Sequence, residues 1–80
     1  MTCEFINDKL AFFRFDKTDR IWFFKSDDTV KAIAVPDGSH FTITGHTDKE
    51  VFEEMTSKPF GKRHPDLVRF ALVSVFKMWM

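Results

Sequence analysis

The sequence contains no tyrosine, one cysteine, three glycines and no net charge, and each scarcity removes a class of function. A lone Cys3 cannot close an intrachain disulfide, and no secretory leader pattern opens the chain, so the expected location is cytoplasmic. No cationic neighbour adjoins Cys3 to activate it, which leaves it an inert thiol. The glycines are isolated, so no loop of them cradles a phosphate. His40, His46 and His64 with a single cysteine do not form a zinc set at recognisable spacing, and no metal or cofactor is expected. The most apolar run, Leu67–Met80, is shorter than the ~20 residues a bilayer span needs and carries Arg69 and Lys77, so no membrane role is expected. A generic nucleic-acid binder is basic overall, and this chain is neutral. Without tyrosine the aromatic set is oily and suits packing more than polar recognition.

What is abundant is phenylalanine: 11 of 80 residues, with two tryptophans, in a chain that is 44% hydrophobic. A chain this short forms one domain, 1–80, and buries only ~60% of its unfolded surface, so each buried aromatic counts. A fully buried phenylalanine contributes roughly 1.5–3 kcal/mol. The charge is uneven along the chain. Residues 1–56 hold 7 Lys and Arg against 11 Asp and Glu, and residues 57–80 hold 5 against 1.

Two aromatic segments, Leu10–Phe15 and Arg20–Lys25, flank the polar turn Asp16–Asp19 and predict a β-hairpin. By alternation, Ala11, Phe13 and Phe15 oppose Leu10, Phe12 and Arg14, while Ile21 and Phe23 oppose Trp22 and Phe24. Both faces are apolar, so either both are covered or one is open and binds something. Thr29–Val35 reads as a third strand, Pro36–Ser39 as a tight turn, and His40–Thr44 as a fourth strand with Phe41 and Ile43 inward. The period then changes. Thr47 followed by Glu50 is a capping box that starts a helix over about 48–57. Pro65 and Asp66 start a second, over about 65–79, apolar nearly all round except for the narrow stripe Arg69, Val73 and Lys77 and expected to be largely buried, although Leu72–Phe76 also suits a strand by propensity. The predicted fold is α+β: a four-stranded antiparallel, meander-like sheet over about 10–44, followed by two helices packed on one face.

No catalytic set emerges. Ser39 and His40 are adjacent on a strand and point to opposite faces. Glu53 and Glu54 are neighbours on a helix and do not converge. An enzyme is not expected. Two features suit binding. Between the helices, Lys58, Lys62 and Arg63, with His64, cluster around Phe60. This set can hold phosphate and stack a base, or place hot spots in a protein interface. Its plainer role is a connector with Phe60 tucked into the core. The second feature is surplus apolar surface: Phe12, Trp22, Phe24, Trp79 and Met80 exceed what one small core absorbs, which suggests a partner or dimer surface.

Compact, motif-free and Phe-rich, the chain resembles in type the small accessory proteins with which phages and mobile elements block a host protein. That resemblance implies a non-enzymatic inhibitor of a host or defence complex. An acidic face of Asp16, Asp19, Asp27, Asp28, Glu53 and Glu54 would then mimic nucleic-acid charge. The rival expectation is single-stranded nucleic-acid binding by the aromatic hairpin and the basic inter-helix loop. A third is a subunit that only dimerises. Nucleic-acid binding needs the aromatics and the basic loop on one face, whereas mimicry needs the acids contiguous.

Overall fold

The computed structural model describes residues 2–35 and 40–79. The expected turn at Pro36–Ser39, and Met80, lie outside the described residues. Five strands form one antiparallel meander: β1 (Thr2–Asn7), β2 (Leu10–Arg14), β3 (Arg20–Ser26), β4 (Thr29–Val35) and β5 (Phe41–Gly45), in sheet order β1-β2-β3-β4-β5. The helices follow: α1 (Asp48–Thr56), α2 (Pro59–Arg63) and α3 (Pro65–Trp79). The α+β class and the order of sheet then helices are as predicted. Among the described residues the strand count is five rather than four, because β1 also pairs with β2. Phe5 is the one β1 side chain that packs against the core, meeting the rings of Phe13 and Trp79 edge-on at centroid distances of 6.0 Å. One inward aromatic in six residues gives an edge strand almost no alternation to read.

The helices cover one face of the sheet. Ala11, Phe13, Phe15, Ile21, Phe23, Val30, Ala32, Ala34 and Ile43 point to that side and are buried with Val51, Met55, Phe60, Val68, Ala71, Leu72, Val75 and Trp79. These buried sheet positions carry no charge, and burying one there would cost several kcal/mol. The inward half of β3 ends on Lys25, half-buried, whose Nζ donates to the Trp79 carbonyl at 2.9 Å. Edge-to-face contacts such as Phe13 on Phe23, 5.6 Å between centroids, need no hydroxyl partner, as a core without tyrosine requires.

Helix α1 begins as its capping residues dictate. Thr47 Oγ1 accepts from the Glu50 N–H at 3.1 Å. Glu50 Oε2 reaches back one residue further than the usual box and accepts from the His46 N–H at 3.0 Å. Removing the hydroxyl leaves one of the helix's first N–H groups unpaired. Thr47→Ala is therefore expected to cost ~1 kcal/mol in a chemical denaturation curve, and an unchanged midpoint would contradict that role.

The inter-helix segment is a helix of its own. Pro59 takes the first position of α2, where its missing N–H is harmless, and Lys58 precedes it with no side-chain cap. Helix α3 departs from its expected near-complete burial. Val68, Ala71, Leu72, Val75 and Trp79 face the sheet, but Phe70, Val73 and Met78 are exposed. One side of a surface helix must meet solvent, and here that side mixes Phe70 and Val73 with the charged Asp66, Arg69 and Lys77. Among the described residues no helix is long and apolar enough to cross a membrane.

Candidate functional site

The face of the sheet opposite the helices carries the other half of each strand's alternation. Strand register lines these residues up in rows. Arg14 pairs with Arg20; Phe12 with Trp22, which pairs with Ile33; Leu10 with Phe24, which pairs with Lys31. Successive rows on one face are two residues apart, about 6.8 Å. Leu10, Phe12, Trp22, Phe24, Ile33 and Val35 are all half-buried, each covered on its flanks by neighbours and open above. The rings of Phe12 and Trp22 lie 4.5 Å apart, the closest aromatic pair among the described residues. Trp22 and Phe24, both expected at a partner surface, are therefore brought together with Phe12 into one aromatic patch.

Cations bound this patch. Lys31 and Arg14 are exposed and Arg20 is half-buried. Glu4, paired with Phe12 at the sheet's edge, is the acid in these rows. Like charges directly opposite across a strand pair are unfavourable, and among the described residues neither Arg14 nor Arg20 joins an ion pair. The arginines thus leave positive potential at one end of an apolar surface. They were not expected as site residues. Their signal was present in the alternation, since Arg14 shares a face with Phe12, and Arg20 with Trp22.

The basic inter-helix segment is elsewhere. Phe60 is 1% exposed, packed on Phe15 at 5.5 Å and on Phe41 at 6.0 Å, so it offers no surface to a base or a partner. Lys58 and Lys62 are exposed on the helix side, with Lys58 Nζ 5.8 Å from the Phe41 ring. Arg63 is committed internally: its Nε and Nη2 donate to Asp19 Oδ2 at 3.1 and 3.0 Å. Trp79 is also a core residue, 7% exposed, and its indole N–H has no partner among the described residues. The basic segment and the aromatic patch therefore lie on opposite sides of the sheet, so the two halves of the expected nucleic-acid grip do not meet.

The expected acidic face is likewise divided. Asp16 and Asp19 sit in the β2–β3 turn, and Asp27 and Asp28 in the β3–β4 turn at the other end of β3. Seven residues of strand separate the two turns by about 23 Å. Asp19 is 2% exposed and so contributes no surface. Asp16 Oδ1 accepts the N–H groups of Asp19 at 2.7 Å and Thr18 at 2.9 Å, and these bonds hold its carboxyl below the usual range. Asp27 adopts a left-handed φ of 54°, which an aspartate tolerates in a tight turn. Asp28 lies 3.7 Å from His46, and Glu53 and Glu54 are exposed on α1.

Around Asp19 the structure gathers the groups best placed for ligand chemistry. Ligand atoms of Asp16, Asp19 and His64 lie within 4.8 Å of one another. His64 Nε2 donates to Asp19 Oδ2 at 2.7 Å, with Asp16 Oδ2 3.3 Å away. Asp19 Oδ2 already receives three N–H groups, and Arg63 supplies the positive charge that an ion would bring. The cluster is a clasp that ties the β2–β3 turn to the α2–α3 junction. Compared with known proteins, the chain matches no protein-family profile, no curated sequence and no solved structure.

Proposed function

We propose that this chain is a non-enzymatic binding module that presents the open face of its sheet to a protein partner. One observation carries this reading: Phe12, Trp22, Phe24 and Ile33 form a contiguous apolar surface on a sheet face that the helices leave uncovered, with Arg14, Arg20 and Lys31 at its margins. Aromatic residues and arginine are enriched in protein interfaces, and binding energy concentrates in such anchors. The platform is a hydrogen-bonded sheet braced from behind by the core, so little side-chain or backbone freedom remains to be lost on docking. Such a module acts by covering its partner's functional surface, as an inhibitor of a host or defence complex does. With the acids split between two ends of the sheet, blocking by shape is favoured over imitation of a nucleic-acid backbone.

A second reading has one observation in its favour. Arg14, Arg20 and Lys31 share the aromatic face, and cations beside stacking rings suit single-stranded nucleic acid. The neutral chain weighs against it. One experiment separates the two. Tagged wild-type protein and the Phe12→Ala/Trp22→Ala variant are used to capture partners from the native host, with circular dichroism confirming that both are folded. Wild type is expected to retain a protein that the variant loses. In parallel, both proteins are titrated into a fluorescein-labelled random single-stranded DNA 15-mer while its fluorescence anisotropy is followed. Affinity weaker than about 10⁻⁴ M at physiological salt is expected. Equal capture by both proteins would remove the open face from the account. Micromolar binding of the oligonucleotide, lost in the variant and falling steeply with salt, would put the nucleic-acid reading first.

A further inference from the structure

A second apolar surface lies on the other side of the molecule. Phe70 is 52% exposed and Val73 47% exposed, both on the outer side of α3. At 100° per residue, Asp66, Phe70, Val73 and Lys77 fall within an arc of about 60°, and the buried residues Val68, Leu72, Val75 and Trp79 point the opposite way. Arg69 is drawn off this stripe, its guanidinium 4.4 Å above the Phe52 ring. The stripe is thus an acid, two hydrophobic residues and a base in a single line.

Its spacing is symmetric: four residues, three, then four. Reversing the helix direction leaves the spacing unchanged, exchanges Phe70 with Val73, and exchanges Asp66 with Lys77. An antiparallel copy of the same helix therefore matches the stripe at every position. Phe70 meets Val73, Val73 meets Phe70, and an opposite charge closes each end. A parallel copy would set Asp66 on Asp66 and Lys77 on Lys77, so charge selects the antiparallel arrangement.

We propose that a second copy of this chain docks on the outer side of α3, in a two-fold antiparallel helix pair with Phe70 on Val73 and Asp66 against Lys77 of the second copy. Such a contact is isologous, so it closes at two copies. Four stripe positions a side make a small interface, below the standard size, and the pairing is reversible and concentration-dependent. The stripe faces away from the sheet, so pairing leaves both open sheet faces uncovered and directed outward. A dimer would carry two copies of the surface described above, and a repeated partner would be held by avidity. The pairing itself does not depend on what that surface binds.

Sedimentation equilibrium of the full chain tests this. The weight-average mass is expected to rise toward twice the monomer mass as concentration goes from low to high micromolar. Phe70→Asp should raise the dimer dissociation constant at least about tenfold, the effect of losing an interface anchor. Lys77→Glu alone and Asp66→Lys alone should each weaken association, and the two together should restore it, because the swap recreates both ion pairs only in the antiparallel arrangement. Phe70→Asp and Lys77→Glu lie away from the start of α3 and keep the test decisive if Asp66→Lys weakens the helix. Phe12→Ala/Trp22→Ala should leave the mass unchanged. A monomer at every concentration, or association insensitive to Phe70→Asp, would overturn the proposal. So would a charge swap that fails to restore pairing in a folded double variant, or a dimer lost on truncating the sheet face.

Discussion

Gly61→Ala is expected to destabilise the fold by about 3 kcal/mol, the upper end for overpacking a filled interior. Gly61 is buried inside α2, where the chain passes directly over the end of α1. A Cβ added there would overlap the carbonyl oxygen of Met55, and it would lie 2.6 Å from the Met55 carbonyl carbon and 2.8 Å from Cα of Thr56. All three are backbone atoms, so no side chain can swing aside. The two helices would have to part, and Phe60, the neighbouring residue, would be lifted from its place against Phe15 and Phe41. A urea unfolding curve within a few tenths of a kcal/mol of wild type would show that α1 and α2 do not approach this closely.

Asp19→Ala is expected to cost about 2 kcal/mol, less than the roughly 3–5 kcal/mol of breaking a fully buried pair. The reduction follows from Arg63, whose side chain is 48% exposed and can turn to water once its carboxylate is gone. His64 is 16% exposed and loses its 2.7 Å partner inside the protein, which keeps the cost substantial. Part of the effect should vanish when Arg63→Ala is already present, since the two substitutions remove the same bond. Strictly additive losses in unfolding experiments would show that the clasp does not couple them.

Much of the fold can be read from alternation alone. Across β2 and β4 one half of the pattern is free of charge, in β3 that half is charged only at Lys25 near the strand's end, and this half is the core; the other half includes Arg14, Arg20 and Lys31. The capping pair Thr47 and Glu50 marks the start of α1 by local chemistry that needs no tertiary context. β1 was not legible, because only Phe5 in it packs inward and its pairing with β2 is a long-range fact about an edge. Lys58–Arg63 looked like a grip because its charges are adjacent in sequence, yet the partner that engages Arg63 is Asp19, 44 residues away. Adjacency of cations says nothing about which of them the fold consumes. The exposed stripe on α3 is legible in part: Arg69 and Lys77 mark the outer side and place Val73 there, whereas Phe70 falls by its apolarity with the inward row and is exposed instead.

Site-specific photo-crosslinking in the native host tests the central claim most directly. A photoreactive phenylalanine analogue is placed at Phe12 or Phe24 on the open sheet face, and at Glu53 on the helix side as a comparison. The open face, acting as the recognition surface, predicts that both sheet positions crosslink to the same protein and that Glu53 does not. Crosslinking of a common partner from Glu53 with none from Phe12 or Phe24 would contradict it.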